Sequence, residues 1–177
     1  MFSALDCGNK TQTTAETRND TTTDQATTPT QSGPIIGEIQ WSDLRKEPHA
    51  SWFEPMLKSY EPEAAAMEII RDHIGAYQIK AYMGTWCADS KREIPKLYKI
   101  LELSDYEMDK LEIIGVTRNK TLPDDSQKAF DVQYVPTIIF LKDGEEVGRF
   151  VEYPQESFEE DIAKIVSGQP YKHAYQE

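Results

Sequence analysis

From Ile35 onwards the chain contains several short apolar runs with the spacing of β-strands. Apolar residues alternate through residues 78–83, as they do in a strand with one buried face. Residues 111–116 are almost continuously apolar, which is typical of a strand that is buried on both faces. Further strands are predicted at residues 138–141 and 146–151, which are joined by a tight turn at Asp143-Gly144, and residues 35–39 form a short segment that favours β-structure.

Segments with helical spacing separate these strands. Apolar residues within 87–103 fall at intervals of three and four residues and form one face of a helix: Ile94, Leu97, Tyr98 and Leu101. Residues 61–74 and 156–166 also have near-helical spacing, whereas residues 51–60 predict only an amphipathic turn or two, interrupted at Pro55. Strands that alternate with helices predict an α/β domain, with a hairpin at one edge of its sheet.

Residues 1–34 have a different composition. Ten of the 26 residues from 8 to 33 are Thr, and this stretch contains no Leu, Ile, Val, Phe, Tyr or Trp. Such a segment buries too little apolar surface to offset the entropy lost on ordering. We therefore predict a disordered tether over residues 1–34 and one domain over residues 35–177.

Cys7 follows a short apolar stub and precedes the Thr-rich tether. This arrangement resembles the end of a bacterial lipoprotein signal, although the stub lacks a basic region and a full apolar core. Cys7 is therefore a candidate for lipid attachment. With that anchor the domain would lie at the periplasmic face of a bacterial membrane, and without it we expect a cytoplasmic protein.

Charge and composition exclude several classes of function. Nineteen basic and 31 acidic residues give the 177-residue chain a net charge of -12, so it would repel nucleic acid. Two cysteines are too few for a disulfide-stapled scaffold, and the three histidines are scattered without ligand spacing. We expect a monomer without a metal site or a cofactor.

Cys87 is the residue most suited to chemistry. It lies where the strand at 78–83 ends and the helix at 87–103 begins, and it is followed by the polar residues Asp89 and Ser90. The free N–H groups and partial positive charge of a helix N-terminus favour thiolate over thiol, and the thiolate is the nucleophile. The position therefore indicates a reactive cysteine rather than an inert one.

These features together resemble the thioredoxin superfamily, from about residue 35 to the end of the chain. The strand leading to Trp86-Cys87 resembles the one before the active-site motif, and Pro95 matches the proline inside the long active-site helix. Val135-Pro136-Thr137 resembles the cis-proline segment beside the nucleophile. The sequence of the motif around Cys87 is similar to that of an uncharacterised thioredoxin-like group common in Bacteroidetes. The resemblance implies a thioredoxin fold, a central mixed sheet flanked by helices, with an N-terminal extension.

The site departs from the family pattern at three positions. Ser90 replaces the second active-site cysteine, so no internal disulfide forms at this motif. Asp89 replaces the usual proline, and we expect its carboxylate to oppose thiolate formation at Cys87. Ala81 replaces the buried acid that thioredoxins use as a proton relay.

The leading interpretation is a monothiol oxidoreductase that exchanges disulfides of proteins or of low-molecular-weight thiols through Cys87. Ser90 would donate a hydrogen bond to the thiolate or cap the helix, and Trp86, Val135 and Pro136 would line the substrate groove. One alternative is a redox-inert binding module that keeps the groove. Another is a glutathione-dependent iron–sulfur binder, which the same Cys-x-x-Ser spacing allows.

Overall fold

The computed structural model describes residues 33–176, so Cys7 and almost all of the predicted tether lie outside the described residues. Five strands form one sheet: β1 (Gly37–Glu38), β2 (Gln78–Met83), β3 (Leu111–Gly115), β4 (Thr137–Lys142) and β5 (Glu145–Val151). The α-helices in this part of the chain are α1 (Trp41–Leu44), α2 (Ala50–Ser59), α3 (Ala64–His73), α4 (Ala88–Leu103) and α5 (Phe158–Ser167).

The sheet is mixed, and its strand order is β1-β3-β2-β4-β5. β2 runs parallel to β3 and antiparallel to β4, while β1 and β5 pair antiparallel at the two edges. β2 is therefore the central strand, with β3 on one side and β4 on the other. The turn that follows its carboxyl end thus begins in the middle of the sheet. The predicted α/β class and the hairpin formed by β4 and β5 are both present.

One face of the sheet carries most of the core. The inward side chains of β2, namely Ile79, Ala81 and Met83, are almost fully buried with apolar residues from α2, α3, α4 and α5. Burial of this apolar surface stabilises the fold by about 25 cal/mol per Å². α5 is fixed at its start by Ser157, whose side chain accepts a hydrogen bond from Glu160 N.

The opposite face of the sheet has a thinner cover. Tyr82, Ile114 and Ile139 point to this side, where they pack with residues of the long connection between β3 and β4. That connection contains a 3₁₀ helix, Ser126–Phe130, rather than an α-helix. The connection ends at Val135-Pro136, so the segment that covers this face also positions the proline near the end of β2.

The structure differs from the predicted elements mainly near the N-terminus of the domain. Within residues 35–39, which favour β-structure, Gly37–Glu38 form a two-residue strand that pairs with β3. α2 is a continuous ten-residue helix with Pro55 inside it, rather than a turn or two interrupted by that residue. Phe53 and Leu57 are buried by this helix, and their burial offsets the cost of about 3 kcal/mol for an internal proline.

Within residues 33–176, no helix combines the length and the apolar character needed to cross a bilayer.

Candidate active site

The turn between β2 and α4 holds the candidate nucleophile. Cys87 is the N-cap residue of α4, with an extended backbone (φ -89°, ψ 130°). Its N–H donates to Gly84 O at 2.9 Å, and its C=O accepts from Lys91 N at 3.1 Å. These two bonds fix Cys87 where the chain changes from central strand to helix, as the sequence predicts.

The thiol of Cys87 is partly exposed and contacts the proline segment. Cys87 Sγ donates to Val135 O at 3.2 Å, across 48 positions of sequence. The Val135–Pro136 peptide bond is cis, and Thr137 Oγ1 donates to Tyr134 O at 2.8 Å within the same segment. The fold thus brings together three of the residues that the sequence indicated: Cys87, Val135 and Pro136.

Ser90 is fully buried beneath the turn. Its hydroxyl accepts a hydrogen bond from Gly84 N at 3.1 Å. Among the described residues no hydrogen bond joins Ser90 to Cys87. The hydroxyl therefore satisfies a backbone donor at the end of β2, and its own proton is available for a further bond.

Trp86 is fixed against the turn by a hydrogen bond and by a close approach. Its indole Nε1 donates to Val116 O at 2.9 Å, just after β3. The ring lies so close to Gly84 that a Cβ on that residue would come within 2.5 Å of Cε2. Gly84 is therefore required by packing. The guanidinium of Arg118 lies 5.3 Å from the centre of the indole ring.

Asp89, the residue expected to oppose thiolate formation, is paired with a cation. Arg92 Nη2 lies 2.8 Å from Asp89 Oδ1, one turn along α4. Arg92 also donates through Nε to Glu93, so it bridges two carboxylates. The pair neutralises part of the charge of Asp89.

Glu93 is a buried carboxylate that the sequence analysis did not single out. Its side chain is fully buried, and Lys96 Nζ lies 3.0 Å from Oε2. It stands six residues after Cys87, which places it on a different side of the helix from the thiol. Ala81, at the position of the family's buried acid, is itself fully buried. Glu93 therefore belongs to an ion-pair network and does not replace that acid.

Three exposed tyrosines form a cluster that begins next to the proline segment, and the sequence analysis did not identify them. Tyr134 directly precedes Val135, and its ring stacks on Tyr175 with 3.9 Å between the centroids. Tyr153 contacts Tyr175 edge to face at 6.2 Å. The three tyrosines are separated along the sequence, so no local pattern indicates that they form a cluster. No group of three or more potential metal-ligating side chains occurs within residues 33–176.

Comparison with known proteins identifies the family to which this chain belongs. The sequence model of a family described as thioredoxin matches residues 45–164. The chain is a member of the thioredoxin family, and the predicted superfamily and fold are confirmed. No curated protein matches the chain.

Solved structures agree with the fold. The chain is similar to a protein of unknown function from Pseudomonas aeruginosa, with a TM-score of 0.56 and 19% sequence identity. That similarity covers 75% of this chain and 93% of the other. It is also similar to an HIV epitope scaffold, with a TM-score of 0.50, 18% identity, and 68% and 83% of the two chains covered. At these identities the likeness supports the architecture alone.

Proposed function

We propose that the protein performs thiol–disulfide exchange with a single thiol, that of Cys87. One observation carries this proposal. Cys87 is partly exposed, and its sulfur lies between the start of α4 and the carbonyl of Val135, at the carboxyl end of the central strand. Reactive cysteines are partly exposed, whereas structural ones are buried and inert. The substrates we propose are disulfides of proteins or of low-molecular-weight thiols.

The reaction has two steps. The Cys87 thiol first loses its proton to solvent, and the thiolate attacks one sulfur of the substrate disulfide. A bond forms between Cys87 Sγ and that sulfur while the substrate S–S bond breaks, and the second substrate sulfur leaves as a thiolate. An external thiolate then attacks the mixed disulfide, forms a new disulfide with the bound substrate sulfur, and releases Cys87 as a thiolate.

The residues around Cys87 support this order of events. The hydroxyl of Ser90 cannot replace a second thiol, so the mixed disulfide has no internal route of release. Val135 O accepts a hydrogen bond from the resting thiol and must lose that bond when the proton leaves. Trp86 and the Val135-Pro136 segment flank the sulfur, and we assign them to the binding of the substrate chain.

The test uses a Cys7→Ser variant, in which Cys87 is the only thiol. We expect it to react with one equivalent of an aromatic disulfide reagent under native conditions, releasing one equivalent of chromogenic thiol. Mass spectrometry should place the adduct on Cys87. A Cys7→Ser/Cys87→Ser variant is the matched control and should release none.

Trapping provides the second part of the test. Because Ser90 cannot resolve the adduct, mixed disulfides with cellular partners should accumulate on the Cys7→Ser protein and disappear on reduction. A native Cys87 that reacts no faster than a buried thiol, and that traps nothing, would contradict the exchange reaction. It would instead favour a binding module without redox activity.

A further inference from the structure

A small pocket lies beside the turn that carries Cys87. It has a volume of about 300 Å³ and is lined in part by His49, Trp52, Thr85, Trp86, Lys91 and Arg118. Thr85 and Trp86 directly precede Cys87, and the backbone N–H of Lys91 donates to Cys87 O at 3.1 Å. The pocket therefore shares its walls with residues that precede and follow Cys87 in the reactive turn.

Two cations line this pocket, and each is held over an aromatic ring. Lys91 Nζ lies 5.8 Å from the ring centre of Trp52, and the guanidinium of Arg118 lies 5.3 Å from that of Trp86. An aromatic face attracts a cation without neutralising its charge. Within residues 33–176, no carboxylate forms an ion pair with either cation, and no acidic residue lines the pocket.

His49 is the remaining titratable residue that lines the pocket, and it is buried. Burial, with the nearby charge of Lys91, lowers the pKa of His49, so the ring is neutral at neutral pH. Asp43 and Glu47 act on His49 in the opposite direction, but neither lines the pocket. The pocket is thus positively charged on a chain whose net charge is -12.

We propose that this pocket binds the carboxylate of an anionic low-molecular-weight thiol, and that this thiol releases Cys87 from its mixed disulfide. The inference rests on the proposed function. The volume suits a small ligand, because it lies at the lower end of the range for small-molecule sites. Lys91 and Arg118 would hold the carboxylate, and the two indole rings would cover the aliphatic part of the ligand.

In the step that follows, the thiolate of the bound ligand attacks the substrate sulfur of the mixed disulfide. When the ligand attacks the substrate sulfur, a ligand–substrate disulfide forms and Cys87 leaves as a thiolate, which takes a proton from solvent. The ligand sulfur is oxidised and Cys87 is reduced. Lys91 and Arg118 take no part in the electron transfer and act as binding residues.

The experiment measures how fast small thiols release a chromogenic mixed disulfide from Cys87 in the Cys7→Ser protein. Two anionic thiols of different reach, 3-mercaptopropionate and 6-mercaptohexanoate, are compared with the neutral 3-mercaptopropanol and 6-mercaptohexanol. The readout, for each chain length, is the release rate with the anionic thiol divided by the release rate with the neutral thiol. Lys91→Gln/Arg118→Gln should lower this ratio by about 3- to 30-fold for at least one length, as expected for two partly exposed ion pairs.

The matched control is Lys99→Gln/Lys142→Gln, which removes the same charge from residues that do not line the pocket. It should leave the ratio within about twofold of the parent, because exposed distant charges are screened. Raising the salt from 0.15 M to 1 M should lower the ratio of the parent. A ratio that is equal in the parent and in Lys91→Gln/Arg118→Gln would overturn the pocket proposal while leaving exchange at Cys87 intact.

Failure of the proposed function gives a different result, because the mixed disulfide would then not form at all. Alkylation separates the two cases, since it requires only an accessible thiol. Iodoacetate, which is anionic, should lose rate relative to neutral iodoacetamide by a similar factor in Lys91→Gln/Arg118→Gln. An unchanged alkylation ratio would overturn anion recognition, whatever the outcome of the exchange assay.

Discussion

Replacing Ser90 by Cys should give this protein an internal disulfide with Cys87. The two residues are three apart at the start of α4, where side chains with this spacing share a face of the helix. Cys87 is partly exposed, while Ser90 is fully buried beneath it. The thiolate of a cysteine at position 90 would therefore attack any mixed disulfide on Cys87 from the buried side and release the bound substrate.

The size of the effect follows from two opposing terms. Ser90 Oγ accepts from Gly84 N at 3.1 Å, and replacing that oxygen by sulfur should cost about 1 kcal/mol. Closing so short a loop by a disulfide should stabilise the oxidised form by about 2 kcal/mol, because the unfolded chain loses conformational freedom. For a chain of this length that corresponds to a Tm difference of roughly 4–8 °C between the oxidised and the reduced variant.

The assay compares Ser90→Cys in a Cys7→Ser background with Ser90→Ala in the same background. Thiol counting and intact mass report the internal disulfide after mild oxidation, and thermal unfolding of both redox forms gives the Tm difference. Ser90→Ala isolates the loss of the bond to Gly84 and should be about 1 kcal/mol less stable than its parent. Insulin reduction with a dithiol reductant then measures whether the new dithiol turns over.

Two results would contradict this reasoning at different levels. If oxidation gives only cross-linked dimers, or leaves both thiols free, the geometry assigned to the turn is wrong. If the internal disulfide forms but insulin is not reduced, the exchange function loses its support. The defect would then lie in the groove at Val135-Pro136 or in the absence of a buried acid at Ala81.

Three further predictions test other parts of the site. Gly84→Ala should destabilise the protein by about 1–3 kcal/mol in chemical unfolding, because the added methyl group meets the indole of Trp86. Asp89→Asn should speed alkylation of Cys87 near neutral pH by roughly 1.5- to 5-fold, since it removes a negative charge that repels the thiolate. His49→Gln should lose less stability than the wild type between pH 7 and pH 5. Burial and Lys91 hold the pKa of His49 below its unfolded value of about 6.5. The unfolded state therefore binds the proton more tightly, and stability falls as the pH drops through this range.

Each of these predictions has a control and an outcome that would contradict it. Gly75→Ala, where an added Cβ meets nothing within 4 Å, should change stability by no more than about 1 kcal/mol. If Gly84→Ala is equally mild, the indole is not packed as described. Asp109→Asn should leave alkylation unchanged, and a flat result for Asp89→Asn would mean that Arg92 already cancels the charge. Equal pH dependence in wild type and His49→Gln would show that His49 titrates alike in both states.

The sequence determined the parts of this protein that local spacing encodes. Alternation in residues 78–83 indicated the central strand, and the apolar spacing after residue 87 indicated the long helix. Cys87 was placed correctly at the start of that helix because the change from period two to period 3.6 occurs there. The prediction that Pro55 interrupts the helix at residues 51–60 was wrong, because it too depended on local sequence alone. The local cost of the proline is visible in the sequence, whereas the burial of neighbouring residues that offsets it is not.

Only the tertiary structure decided what surrounds the sulfur. The bond from Cys87 to Val135 O spans 48 positions, and the pocket joins Trp52 and Arg118 from opposite sides of the motif in sequence. Ser90 shows the difference within one helical turn, because its type and spacing suggested a partner at Cys87 while its oxygen accepts from Gly84. Such contacts depend on how strands and helices pack on one another, and the order of residues along a single element does not encode that packing.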